Sequence, residues 1–300
     1  MQPSPMSEIP RMSKQRNLAD RSHRISKPFC SLWSGVSPHG ERERKEYASS
    51  STVIAIEIVQ SIRKRCGRDF HLQMKISATE NNNSMSLGEP RGNTIADSVP
   101  VCKWLEAEGV DAIHVSSGSF FPHPRNPAGD LPIQDFIDVY DAMITSGTRT
   151  FRNYLLLRND LTGRIFHDQW LKQRGDVIER LNLPDAAAIK QAVSIPEICT
   201  GGFQTASVIR GALTAGQCDA VSIARPPIAN PDLPQMFERG LDRAPVPCTY
   251  CNKCLVNAVM NPLGCYDETR FTTREAMIDS IMAVFQPSEF PITIAARNER

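Results

Sequence analysis

The sequence predicts an α/β fold in which helices cover a parallel sheet, followed by a cysteine-containing C-terminal extension. Two observations predict it. Short apolar runs alternate with amphipathic stretches from Val53 to Arg239, a pattern typical of parallel strands joined by helices. Four of the nine cysteines then cluster between Cys248 and Cys265. Residues 1–50 precede both features without a hydrophobic period, so we predict a disordered or divergent leader there.

Each element follows from its local pattern. Val53 opens a helix-like apolar face that ends near Gly67, whose lack of a Cβ suits a helix cap. Later strands are short, apolar and rich in β-branched residues, and the helices between them end at glycines. The predicted strands cover 71–77, 110–117, 195–200 and 218–224, and the predicted helices cover 94–108, 205–215 and 233–239.

The long excursion 120–185 interrupts this alternation and has two interpretations. Long loops after strands carry specificity in β/α folds, so the excursion could be an active-site lid. Residues 151–170 also contain enough apolar side chains to pack together. A helical side-subdomain with its own small core is therefore the favoured interpretation.

Composition limits the classes of function. The chain has 300 residues, 41% of them hydrophobic and 22% charged, with a net charge of +1. This balance is typical of globular proteins and gives no field that favours nucleic acid. No apolar run approaches the roughly 20 residues that span a bilayer, and no secretory signal is evident. We predict a cytoplasmic protein with a small-molecule substrate and no membrane or nucleic-acid partner.

Two strand ends suggest an anion site. Gly201 and Gly202 follow one predicted strand, and Arg225 follows the next. Glycines let the backbone approach a phosphate, and an arginine supplies a forked, permanently charged partner. In eight-stranded α/β barrels, phosphate binds at the loops after the last two strands. Turn glycines and a surface arginine are the simpler alternative, but the order and spacing favour a phosphate site.

The cysteine cluster suggests a metal centre. Three cysteines follow a C-x-x-C-x-x-C spacing and a fourth follows closely. In a reducing compartment such a cluster indicates metal binding more than disulfides. An iron–sulfur cluster, a structural zinc ion and unligated thiols all remain open. The clustered residues are Cys248, Cys251, Cys254 and Cys265. The scattered cysteines are interpreted as packing residues.

Several segments resemble one family. They include LQMKISA, WLEAEGVDAIHVSSGS, IPEICTGGFQTASVI, CDAVSIARPPIANPDLP and CTYCNKCL. Between Ile58 and Cys265 the chain resembles the flavin oxidoreductases that include old yellow enzyme, 2,4-dienoyl-CoA reductase and trimethylamine dehydrogenase. The resemblance implies a partial (β/α)8 TIM barrel: residues 51–245 would form its C-terminal half, about the last four βα units, and 246–300 a cysteine-cluster extension.

The resemblance also implies cofactors and site residues. FMN would bind with NAD(P)H as reductant, and a [4Fe–4S] cluster would bind the four clustered cysteines. Lys75 would lie beside the flavin N1–C2=O edge. The phosphate would meet Gly201, Gly202, Ala224 and Arg225. The implied function is that of an FMN-dependent NAD(P)H oxidoreductase, similar to ene-reductases and dienoyl-CoA reductase.

The first four strands of the family have no match here, so no catalytic residue carries over. We therefore expect a truncated chain and leave open whether it is an enzyme alone. The alternative is a non-catalytic metal-binding or partner-pairing module. A half barrel would also show its inner face, with Ile113, Val115, Ile198 and Ile223. A homo-oligomer or a partner chain would then cover the open barrel.

Overall fold

A computed structural model describes residues 41–82, 92–119 and 123–284. The described residues form four strands and a series of helices. The strands are β1 (Gln73–Asn81), β2 (Ala112–Ser119), β3 (Glu197–Thr200) and β4 (Ala220–Ser222). The helices before β3 are α1 (Glu41–Cys66), α2 (Ile95–Ala107), α3 (Ile133–Ala142), α4 (Thr148–Arg158), α5 (Asp160–Arg174) and α6 (Leu183–Lys190). The later helices are α7 (Ala206–Thr214), α8 (Arg225–Ala229), α9 (Leu233–Glu238), α10 (Lys253–Asn257) and α11 (Arg274–Ala283).

The four strands form one parallel sheet in the order β1-β2-β3-β4. This confirms the predicted α/β class and the position of each strand. Strand order follows chain order because each strand returns through a helix to lie beside the previous one. β1 and β4 are the outer strands, as predicted for part of a barrel. The carboxyl ends of all four strands therefore meet at one edge of the sheet.

Helix α1 begins earlier than predicted. It starts at Glu41, within the segment predicted as a leader, rather than at Val53. The charge run from Glu41 to Glu46 consists of Glu, Arg and Lys, all with high helix propensity, which outweighs the lack of an apolar period. Residues 1–40 of the predicted leader and 285–300 of the predicted extension lie outside the described residues.

The C-terminal end of α1 is bonded to the sheet. The Arg63 guanidinium donates to the Gly109 carbonyl at 2.6 and 2.9 Å, and to the Asp111 carboxylate at 2.5 Å. The same carboxylate accepts from the Leu72 N–H at 2.6 Å. These contacts join α1 to the segments that enter β1 and β2. The basic end of α1 is thus used for tertiary contacts as well as for its helix dipole.

The main core lies between the sheet and its helices. Ile113, Val115 and Cys199 are fully buried there, together with Leu105 of α2 and Ile189 of α6. The expectation that Ile113 and Val115 would be on the open face is therefore wrong. Side chains alternate across a strand, and at these positions the apolar set points toward the helices, where it loses the most contact with water.

A second core supports the favoured interpretation of the excursion 120–185. Helices α3, α4 and α5 surround Phe136, Tyr154, Phe166 and Trp170, all buried. The Trp170 indole N–H donates to the Gly129 carbonyl at 2.9 Å. This bond joins the helical subdomain to the loop that follows β2.

Across the described ranges, no helix is both long and apolar enough to cross a membrane.

Candidate functional site

The sheet face turned away from the helices is polar toward its carboxyl edge. In the strand register, Lys75 pairs with His114, which in turn pairs with Ile198. One step further, Ser116 and Thr200 lie on the same face. His114 Nε2 shares a short hydrogen bond with the Thr200 hydroxyl. Polar side chains thus occupy a surface that the sequence alone had suggested was mainly apolar.

His114 has the surroundings of a structural histidine, because its Nε2 is hydrogen-bonded to the Thr200 hydroxyl. Burial lowers its pKa, and the nearby Lys75 lowers it further. His123 is 2% exposed, and burial together with Arg125 lowers its pKa to about 4. Its Nδ1 accepts from the Arg125 backbone N–H at 3.1 Å. Both imidazoles are therefore neutral near pH 7.

One cavity brings the predicted cofactor residues together. It lies at the carboxyl edge of the sheet and has a volume of about 300 Å³. All five predicted residues line it: Lys75, Gly201, Gly202, Ala224 and Arg225. Arg125, which sequence reasoning missed, supplies a third cation. Its lining contains no Asp or Glu among the described residues. The cavity therefore carries a concentrated positive charge.

The glycine loop is fixed by close backbone contacts. Gly202 has φ +70°, and a Cβ there would lie 2.6 Å from the Ile178 carbonyl oxygen. The Gly202 carbonyl accepts a short hydrogen bond from the Tyr250 hydroxyl. The Gly201 carbonyl accepts from the Leu181 N–H at 3.3 Å. Glycine is thus needed for the close approach of the 178–182 segment, whatever binds beside it.

Arg225 lies between two cavities. Its guanidinium donates to the Ala128 carbonyl and to Asn252 Oδ1, both at 2.5 Å. It also stacks over the Tyr250 ring, 5.0 Å from the centroid. The side chain lines the first cavity and a smaller second one. Through Arg225, the loop after β2, the strand ends and the cysteine extension form one connected site.

The four clustered cysteines line this second cavity together with Arg225. Burial raises the pKa of Cys248 and Cys251, and it raises that of Cys254 to about 11. The Tyr250 N–H donates to Cys248 Sγ at 3.4 Å. In the part of the chain that the structure describes, no group of three or more His, Cys, Asp or Glu is arranged to hold a metal ion as it stands. The four cysteines share one cavity, and a metal at this position remains a prediction.

Residues outside the motifs hold this extension in place. The Gln204 side chain donates to the Cys248 carbonyl at 3.2 Å and accepts from its N–H at 3.1 Å. Asn252 donates to the carbonyls of Asp130 at 2.8 Å and Pro127 at 3.3 Å. Sequence reasoning did not single out Gln204 or Asn252. The only available signal was that Asn252 lies between the second and third clustered cysteines.

Comparison with known proteins gives distant relatives. No family model matches the chain. It is 24% identical over 259 residues to a 4,4'-dithiodibutanoate disulfide reductase of Rhodococcus erythropolis, covering 82% of this chain and 55% of the relative. It is also 24% identical to a cinnamate reductase of Clostridium sporogenes, covering 69% and 25%. A third relative is an NADH oxidase of Thermoanaerobacter brockii, at 24% identity, covering 78% and 31%.

The chain spans about half the length of the first relative and a third or less of the other two. All three matches include most of this chain, and all three relatives are named as reductases or as an oxidase. The matches agree with the family suggested by the strand and glycine motifs. Over part of its length, the chain is related to the old yellow enzyme-like NADH:flavin oxidoreductases.

Proposed function

We propose that the chain is part of an FMN-dependent NAD(P)H oxidoreductase that reduces activated alkenes or related small acceptors. The observation that supports this best is the cavity at the strand ends, which is lined by three cations and by no carboxylate among the described residues. A flavin mononucleotide is anionic at its phosphate, and it becomes more anionic when reduced. The charge and position of the cavity therefore fit this ligand.

Each predicted residue has a role in this proposal. Arg225 and the backbone at Gly201 and Gly202 would hold the phosphate, because a guanidinium and close backbone groups suit an oxyanion. Ala224, which precedes Arg225, also lines the cavity and would contact the cofactor there. Lys75 would face the flavin edge and stabilise negative charge there. When bound, the flavin supplies hydride transfer from NAD(P)H to an acceptor.

The second cavity supports a metal centre as part of the same proposal. Four thiols around one small space are a donor set that suits a [4Fe–4S] cluster, although a zinc ion takes the same ligands. Arg225 beside the thiols would offset part of their negative charge. We propose the cluster, held by Cys248, Cys251, Cys254 and Cys265. A cytoplasmic location fits this assignment, since thiols stay reduced there.

The test is cofactor binding by the full chain. Purified anaerobically and titrated with FMN, the chain should bind flavin and turn yellow, with iron present. We expect weak NADH-driven reduction of an enone, because the residues that contact substrate in the family have no match here. A wild-type chain that stays colourless at saturating FMN would contradict the flavin proposal, whereas bound flavin without turnover would support it.

A second candidate function is a partner-pairing module. Within the described residues, β1 and β4 each have one edge without a neighbouring strand, and a closed barrel of this type has eight strands. Such edges favour pairing with a second copy or with another chain that covers the open face. Bound zinc without flavin, together with a stable oligomer in light scattering, would favour this candidate over the reductase.

A further inference from the structure

The cavity at the strand ends is lined by three cations, and the proposed binding mode of FMN assigns a role to two of them. Lys75, Arg125 and Arg225 all line it. If FMN binds as proposed, Arg225 faces the phosphate and Lys75 faces the flavin edge. Arg125 then has no assigned partner. No ion pair involves its side chain among the described residues.

The backbone that carries Arg125 is held firmly. The Asn126 side chain donates to the Ser119 hydroxyl at 3.1 Å, and the Asn126 N–H donates to the His123 carbonyl at 2.9 Å. Arg225 donates to the Ala128 carbonyl at 2.5 Å. The Arg125 residue itself is exposed. A fixed backbone with a side chain left available is an arrangement suited to ligand recognition, because little backbone order has to be created on binding.

We propose that Arg125 is a specificity residue that selects acceptors bearing a carboxylate. A guanidinium binds a carboxylate through two parallel N–H···O bonds, which gives both affinity and orientation. Its place on the loop after β2 is separate from the glycine loop after β3 and from Arg225 after β4. This inference rests on the proposed function, since it assigns Arg225 and Lys75 to the flavin.

The test uses a matched pair of probes, benzoate and benzamide, which differ mainly in charge. Calorimetry with the full chain, with and without FMN, should show tighter binding of benzoate. Arg125→Gln should weaken benzoate binding by roughly 10- to 100-fold, the range for a lost charged hydrogen bond, and leave benzamide unchanged. Arg125→Lys should fall between, because it keeps the charge without the fork.

Arg164→Gln is the matched control. Arg164 is an exposed arginine on α5 that is not part of the cavity lining, so the variant should bind both probes as wild type does. FMN binding, followed separately by absorbance, should be the same in all four proteins. Equal affinity of the wild type for benzoate and benzamide would overturn the proposal, as would unchanged benzoate binding in Arg125→Gln.

Loss of FMN in Arg125→Gln, comparable to that in an Arg225 variant, would also overturn it, by making Arg125 a second phosphate ligand. Absence of FMN binding by the wild type is a different result, because it contradicts the flavin proposal. In that case benzoate discrimination without FMN still decides whether Arg125 recognises a carboxylate. The two failures are therefore distinguishable.

Discussion

Cys218 and Cys254 have similar pKa values in two very different regions of the molecule. Burial raises the pKa of each to about 11. Cys218 lies in the core between sheet and helices, where Glu197 and Asp219 contribute to that rise and Lys190 opposes it. Cys254 lies beside a cavity lined by three more cysteines and by Arg225, which lowers its pKa. Burial alone therefore does not distinguish the two thiols, and neither does a neighbouring cation, since Lys190 lies near Cys218; the difference is the cavity that Cys254 shares with three other cysteines.

The largest expected effect is the loss of iron when a clustered cysteine is replaced. This loss distinguishes the clustered cysteines from the core cysteines. Cys254→Ser should abolish iron retention, because a cluster with one ligand removed is lost or unstable. Cys218→Ser should retain iron at the wild-type level, since Cys218 belongs to the main core and does not line the second cavity. Metal analysis after anaerobic purification measures both. Wild-type protein with neither iron nor zinc would remove the distinction.

The next effect concerns the two predicted cofactor cations. Arg225→Ala should weaken FMN binding by roughly 10- to 100-fold, corresponding to about 1.5–3 kcal/mol for a charged hydrogen bond. Lys75→Ala should cost less, because Lys75 is exposed and meets a smaller charge. Flavin fluorescence titration gives both constants. A melting curve for each variant checks that Arg225→Ala, which also breaks the contacts to Ala128 and Asn252, still folds.

If Lys75→Ala weakens FMN binding more than Arg225→Ala does, the phosphate is not at Arg225. The cavity at the carboxyl edge of the sheet would still be positively charged, but FMN would bind in the opposite orientation, with its phosphate away from Arg225. A loss of the same size in both variants would instead indicate that neither contact is specific.

The helix-covered core contains its own unusual group. Glu197 is fully buried, and neither of its carboxylate oxygens has a hydrogen-bond partner among the residues that the structure describes. Burial, with Asp219, raises its pKa from an ordinary value near 4.5 to about 8. As the pH rises, the Glu197 carboxyl therefore ionises at a lower pH in the unfolded chain than in the folded chain. The stability that neutral Glu197 contributes is present below pH 4.5 and is lost as the pH rises through about 8.

Glu197→Met should remove this pH dependence and raise the free energy of unfolding by roughly 1–3 kcal/mol above pH 8, the usual cost of an unsatisfied buried group. Urea unfolding between about pH 5 and about pH 9 measures the effect. Glu238→Met replaces an exposed glutamate of α9 and should leave the profile unchanged. An identical pH profile for wild type and Glu197→Met would show that Glu197 is solvated or paired.

The sequence allowed the sheet and the site edge to be predicted, for one reason. Carboxyl ends of parallel strands share an edge, so Gly201 after β3 and Arg225 after β4 had to lie near one another once the strands were located. Lys75 lies early in β1, on the face that lines the same cavity. Which side chains of each strand face the helices was harder to predict. Alternation gives a period of two, but which set faces the helices is decided by tertiary packing. For that reason Ile113 and Val115 were placed on the wrong side.

Loop residues were harder still to predict. Arg125, Tyr250 and Asn252 reach the site because of specific turns, including φ values of +58° at Tyr250 and +62° at Asn252. Such conformations depend on long-range contacts, such as those from Asn252 to Pro127 and Asp130. No short-range pattern encodes them. The site could thus be located from sequence, but its complete set of side chains could not.

The smallest expected effect comes from replacing a cysteine of the sheet–helix core by alanine. The same replacement in the cysteine extension provides the comparison. Cys102 of α2 is fully buried in the sheet–helix core, and burial raises the pKa of its thiol to about 12. Cys102→Ala removes a single buried sulfur and should lower the free energy of unfolding by about 1 kcal/mol, the scale of a small cavity. Flavin and iron content should not change. Cys251→Ala should instead lose the metal, because its thiol lines the second cavity.

Urea unfolding of the flavin-free proteins, together with metal analysis, measures both variants. If Cys102→Ala also lost iron, the core thiols would be coupled to the metal centre and the division between the two regions would fail. If Cys251→Ala kept its iron and its free energy of unfolding fell by only about 1 kcal/mol, the clustered thiols would be packing residues like Cys102. Either outcome would show that a shared cavity beside Arg225 is not enough to distinguish a ligand thiol from a core thiol.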